Sequence, residues 1–184
     1  MLQLAAAITL SSVISATLSV HLLSILEAKG LGLAAAVGLG ALVGPAQVAA
    51  RAIEMAVARF HHPIWTKIIS TAFVAAGLAA LWTGAPVRTL ALVLYGAGIG
   101  LESIARGTLP LAIFGPGRYP VIMGSIAMPS LIAQAAAPSV GALLLETAGL
   151  DGTLAFFVAA AVFNVLLAWS LFGILRNRRS REAA

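Results

Sequence analysis

The sequence predicts an all-α integral membrane protein built as a bundle of six transmembrane helices. Three observations carry this. The chain is 61% hydrophobic and only 9% charged, whereas a soluble domain of this length has roughly 45–50% apolar and about 25% charged residues. Its mean hydropathy is +1.04. Its apolar residues fall into six runs, each near or above the roughly 20 residues needed to cross a hydrocarbon layer of about 30 Å.

The runs follow one another without a linker long enough to divide domains. Span 1 covers about 4–26 and stops at EAKG, and span 2 covers 31–57 and stops at RFHHP. Span 3 covers 64–82 and closes with TGAP, and span 4 covers 87–114 and closes with GPGR. Span 5 covers 119–145 and closes with ETAGLDG, and span 6 covers 153–175 and leads into a basic tail, 176–184. Every break uses glycine, proline or charge, the residues that interrupt helices.

Charge sets the expected orientation. Four of the eleven basic residues lie in the last nine, RNRRSREAA, a position that reads as topology rather than nucleic-acid binding. With the tail in the cytoplasm, six spans place the N-terminus there too. Arg59, Lys67, Arg118, Arg176, Arg178, Arg179 and Arg181 then lie inside, and only Lys29 and Arg88 lie outside. Span 1 has no basic leader and reads as a retained helix. Cysteine is absent, which removes disulfides, thiolate catalysis and thiolate-bound metals.

The informative residues are the polar ones inside apolar spans. In span 2, Gly40, Gly44, Gln47, Arg51 and Glu54 follow steps of three and four and so form one helical stripe. The two glycines are expected to admit a neighbouring backbone, as are Gly96 and Gly100 in span 4. Span 4 also carries Glu102 and Arg106 at i and i+4, the favourable order for a helical ion pair, with Tyr95 two turns earlier on the same face. Each ionised residue at mid-membrane costs about 2.5–3.5 kcal/mol on insertion scales. The four charges must therefore pair, reach a wet cavity or lie near an interface. Three readings follow: a buried ion-pair lock, a substrate or proton site in a water-filled path, or side chains reaching the inner interface. Gln134 and Asn164 are lone amides suited to interhelical hydrogen bonds or to a ligand, and His21 is expected to pack between helices or lie at an interface. His61 and His62, being adjacent, splay apart and do not suggest a metal site. Pro45, Pro110, Pro129 and Pro138 interrupt helices. The enzyme motifs HExxH, GxSxG and GxxxxGK[ST] are missing, and no cofactor is expected.

Several segments together resemble the C-terminal half of a major facilitator superfamily (MFS) permease. They are GALVGPAQVAARAIE running into RFHHPIW, LYGAGIGLESIARGTLPLAIFGPGRYP, and AMPSLIAQAAAPSVGALLLE, closed by the basic tail. The likeness is to bacterial proton-coupled efflux permeases. It implies a half bundle of two inverted three-helix repeats in the cell inner membrane, with both termini cytoplasmic. It also implies secondary active transport of a small solute by alternating access, coupled to protons and directed outward. Gln47, Arg51, Glu54, Tyr95, Glu102, Arg106, Gln134 and Asn164 would then line or gate the path. A permease needs two such halves, so this chain is expected to be a truncated or split product that meets an N-terminal six-helix half, with a homodimer as the other arrangement. The alternative function is a non-transporting membrane subunit that packs against a partner.

Overall fold

The computed structural model describes residues 1–84 and 87–182, and side chains through 177. The end of the TGAP break and the side chains of Arg178, Arg179 and Arg181 lie outside the described residues. Within them the chain is all-helical: α1 Leu2–Ala28, α2 Leu33–Gly40, α3 Val43–Val57, α4 Pro63–Trp82, α5 Arg88–Phe114 and α6 Tyr119–Glu182. Five helical segments are long and apolar enough to cross a membrane: α1, α4, α5, α6, and α2 with α3 taken together.

Local chemistry explains the boundaries. α1 ends on Gly30 at φ 86, with Leu31 N–H bonded to Leu26 O and Gly30 N–H to Glu27 O, the paired bonds of a glycine-terminated helix. Span 2 is kinked into α2 and α3. Pro45 has no N–H to give the Ala41 carbonyl four residues back, and the helix breaks there. The His62 side chain caps α4 by accepting from Ile64 N–H at 3.2 Å, and Pro63 follows at the first helical position, where its missing donor costs nothing.

The expected loop ETAGLDG is not a loop. Helix runs through it except at Gly149, whose φ of 67 and ψ of −176 are non-helical, because only glycine enters that region without strain. The two arms of α6 (119–148 and 150–182) run in opposite directions along α1. Ser12 meets Ser130 and Thr17 meets the Ala137 carbonyl, whereas Ser11 meets Asn164 and Lys29 meets Asp151. The segment 176–182, expected as a tail, continues the second arm as helix.

Contacts of this kind orient the other helices. α4 runs with α1 and α5 runs against both: Lys67 touches Ala7 and Glu102, while Lys29 reaches Trp82. α3 runs with α5, since Val43 and Gln47 sit on Gly96 and Gly100. Among the described residues, α1, α4 and the first arm of α6 thus run one way and α3, α5 and the second arm the other, with Leu4 and Leu171 at the same end.

Packing is layered. At the terminal end, Leu4, Ile8, Ile64, Ile68, Leu109 and Ile126 belong to one apolar cluster. At the opposite end, Leu18, Leu26, Leu78, Leu81, Leu92 and Phe157 belong to another. Between them α1, α4, α5 and both arms of α6 contribute polar side chains. α5 is gripped closely on two sides. A Cβ on Gly96 or Gly100 would meet α3 backbone at 2.7 and 2.5 Å, and one on Gly98 would meet Ser70 O at 2.8 Å. The GAGIG segment is therefore a packing device that brings backbones together. Gly40 and Gly44 serve no such role, since nothing lies within 4 Å of a Cβ at either position. The glycines of α5, not those of the span 2 stripe, make room for the approach.

Candidate functional site

The polar layer surrounds a cavity of about 280 Å³. Its polar lining comes from Ser11, Ser12 and Ser15 of α1, Thr71 of α4, Tyr95, Glu102, Ser103 and Arg106 of α5, and Gln134 and Asn164 of the two α6 arms. Ile14, Val74, Ile99 and Ala161 supply apolar wall. Five of the residues singled out from sequence (Tyr95, Glu102, Arg106, Gln134 and Asn164) thus share one cavity, although three helical segments carry them.

The charge pairing differs from the expected one. Glu102 does not pair with Arg106 one turn on. It pairs with Lys67, whose Nζ lies 2.6 Å from Glu102 Oε1. The ammonium also donates to Ser11 Oγ at 3.0 Å and to the Ala7 carbonyl at 3.3 Å, so all three of its protons are used. Lys67 is only 1% exposed and is therefore not one of the loop charges on which the expected orientation was counted. Ser70 Oγ lies 3.0 Å from Glu102 Oε2 and 2.9 Å from the Gly98 carbonyl, and its single proton serves one of them at a time. The pairing has a geometric cause. α4 faces α5 closely across Gly98, so a lysine on α4 reaches Glu102 directly.

Arg106 turns towards α1 instead. Its Nη2 donates to Ser12 Oγ, which in turn lies 3.3 Å from Ser130 Oγ. Its Nε is buried without a hydrogen-bond partner. Among the described residues no carboxylate forms an ion pair with it. Asn164 donates to Ser11 Oγ at 2.8 Å and leaves its Oδ1 buried and unpaired. Tyr95 holds its buried hydroxyl near Ser15 without a hydrogen bond of good geometry. Gln134 Nε2 bonds only its own helix, at the Ser130 carbonyl.

The stripe of span 2 lies elsewhere. Glu54 is buried near the terminal end, accepts from Thr66 Oγ1 at 2.5 Å, and has His61 Nε2 at 3.6 Å. Arg51 donates to Gln47 Oε1 at 3.3 Å and is half-buried. These three residues do not line the central cavity. His21 bridges α1 to the first arm of α6 through the Pro138 carbonyl at 2.9 Å.

Sequence reading missed Lys67 and the α1 serines. The signal was available: Lys67, Ser70 and Thr71 follow helical steps of three and four, as do Ser11 and Ser15, so polar groups fall on faces opposite Glu102.

These features define a helical bundle with apolar ends and a charged, polar cavity between them. Comparison with family models, with curated proteins and with solved structures returned no match.

Proposed function

We propose that this chain is the six-helix C-terminal half of a secondary transporter of the major facilitator type, moving a small solute across the cell inner membrane by alternating access. The observation that carries the reading is the central cavity. It joins Glu102, Arg106, Gln134, Asn164 and Tyr95 in one space, and several of their buried polar atoms have no protein partner. A bundle that only had to hold together would satisfy those groups internally, since an unpaired buried polar atom costs about 1–3 kcal/mol. Polar and ionisable side chains facing an interior cavity at membrane depth mark solute or ion paths. Transport is proton-coupled and outward in this reading, with Glu102 taking the proton when Lys67 is displaced. An N-terminal six-helix half covers the exposed apolar face of 119–148, with Val121, Met128 and Leu131.

The second reading, a non-transporting membrane subunit, draws on the Lys67–Glu102 pair, which is internally satisfied and could act purely as a lock. Inside-out vesicles from the native cells, in which the chain meets whatever N-terminal half it pairs with, separate the two. They are energised with a pH gradient and offered a panel of labelled small solutes. Wild type is expected to accumulate one of them, and Glu102→Gln combined with Lys67→Met to lose the pH-driven component. The absence of any gradient-driven uptake beyond control vesicles would favour the subunit, and unchanged pH-driven uptake by the double variant would remove Glu102 from the coupling.

A further inference from the structure

The cavity also carries information about the charge of what enters it, and this inference rests on the reading of the cavity as a solute site. Three charged groups stand around it or just behind its wall: Lys67, Glu102 and Arg106. The carboxylate is engaged on both oxygens, by Lys67 at 2.6 Å and by Ser70 at 3.0 Å. Its negative charge is already matched by the buried lysine ammonium, so a cationic guest would have to compete with Lys67 for it. Two cations against one carboxylate leave one positive charge, and Lys67 holds the carboxylate at 2.6 Å. The excess sits on Arg106. Its guanidinium holds a neutral serine rather than an acid, and its Nε–H is buried with no acceptor.

A guanidinium presents a planar fork of donors matched to carboxylate or phosphate oxygens. Arg106 lines the cavity and no carboxylate among the described residues pairs with it, so its fork is a place for an anionic oxygen. Volume narrows the class. A space of about 280 Å³ corresponds to roughly nine waters at about 30 Å³ each, which suits a molecule of metabolite size. Part of the lining is apolar, with Ile14, Val74, Ile99 and Ala161, so the body of the guest is not itself highly charged. Asn164 Oδ1 and the Tyr95 hydroxyl remain for neutral polar atoms on the same molecule. We propose that the cavity binds a small organic monoanion, its acid group held by Arg106 and its apolar body against the α1, α4 and α5 wall.

Isosteric probes test this directly. Benzoate, benzylammonium and benzyl alcohol share a ring and differ in charge. Binding of each to the purified full chain in lipid nanodiscs is followed by the fluorescence of its tryptophans. Benzoate is expected to bind, benzylammonium and benzyl alcohol to bind at least tenfold more weakly, and Arg106→Gln to lower benzoate affinity about ten- to a hundredfold, as loss of a charged hydrogen bond does. Arg106→Lys keeps the charge and should retain part of the affinity. Wild-type preference alone keeps the test decisive if Arg106→Gln does not fold. Benzylammonium binding as well as or better than benzoate, no probe binding at all, or benzoate affinity unchanged in Arg106→Gln would overturn the anion assignment. Flux of benzoate and benzylammonium into the native-cell vesicles, where the chain meets its other half, is measured in parallel. Binding of benzoate without flux would count against transport and leave the anion site standing. Flux of the cation would do the reverse.

Discussion

Replacing Glu102 with glutamine should destabilise the bundle far more than replacing Lys67 with methionine. The pair is short, 2.6 Å, and Lys67 is 1% exposed while Glu102 is 8% exposed. Removing one member of such a buried pair costs about 3–5 kcal/mol, because the survivor keeps its charge without a counter-charge. The two halves of this pair do not leave equal survivors. Without the Glu102 carboxylate, buried Lys67 and half-buried Arg106 remain as two uncompensated cations. Without Lys67, Glu102 can turn one helical turn to Arg106, an i,i+4 partner in the favourable order. The expected costs are about 3–5 kcal/mol for Glu102→Gln and about 1–2 kcal/mol for Lys67→Met, with the double variant near the latter value. The coupling energy is then on the order of 3 kcal/mol. The assay is reversible unfolding in mixed dodecylmaltoside and SDS micelles. Trp65 and Trp169 report it, since their rings lie 6.2 Å apart and join α4 to α6. Equal single-variant costs, or additive ones with coupling below about 0.5 kcal/mol, would refute the picture of Lys67 and Glu102 as one unit with Arg106 in reserve.

Other consequences can be checked in the same micelles. Gly100→Ala places a methyl 2.5 Å from the Gln47 carbonyl and should cost about 1–3 kcal/mol. Gly44→Ala, with nothing within 4 Å, should be neutral or stabilising by up to about 1 kcal/mol; a reversed order would contradict the α3–α5 contact. Glu54→Ala removes the acceptor of Thr66 Oγ1 and should cost about 1–3 kcal/mol, whereas Thr66→Val with Glu54→Leu should recover much of it. Gly149→Ala forces a side chain into φ 67 and should cost about 1–2 kcal/mol, seen as a lower unfolding midpoint. A thiol-reactive tag on a single cysteine placed at Asn177 should be modified from the cytoplasmic side of spheroplasts, and one at Lys29 from the other; the opposite pattern would invert the orientation.

The long apolar helices were legible because membrane length and helix-breaking residues leave a coarse signal, and the polar residues within them stood out because they are costly there. What could not be read was which helix each polar group would face. Lys67 follows RFHHPIW closely enough to look like a loop charge. Only the three-dimensional approach of α4 to Gly98 turns it inward onto Glu102. The i,i+4 spacing of Glu102 and Arg106 was a sound local argument, but the lysine ammonium offers the carboxylate a shorter contact and leaves Arg106 to α1. Gly40 and Gly44 had the same spacing as Gly96 and Gly100, yet close approach needs a small residue on only one of two facing helices, and sequence does not say which. The extent of the second α6 arm was hidden because Glu146, Thr147, Leu150 and Asp151 tolerate helix, so one glycine suffices to turn the chain.

The central claim is a hydrated solute cavity within a membrane-embedded helical bundle. The chain has no cysteine, so a single introduced thiol reports its own surroundings. Ser103→Cys lies on the cavity wall, and Ile53→Cys on the exposed apolar face of α3. The account predicts that a charged, membrane-impermeant thiol reagent labels Ser103→Cys in sealed vesicles of either orientation and leaves Ile53→Cys unlabelled, while a membrane-soluble maleimide reaches both. Ser103→Cys as unreactive to the charged reagent as Ile53→Cys would contradict it.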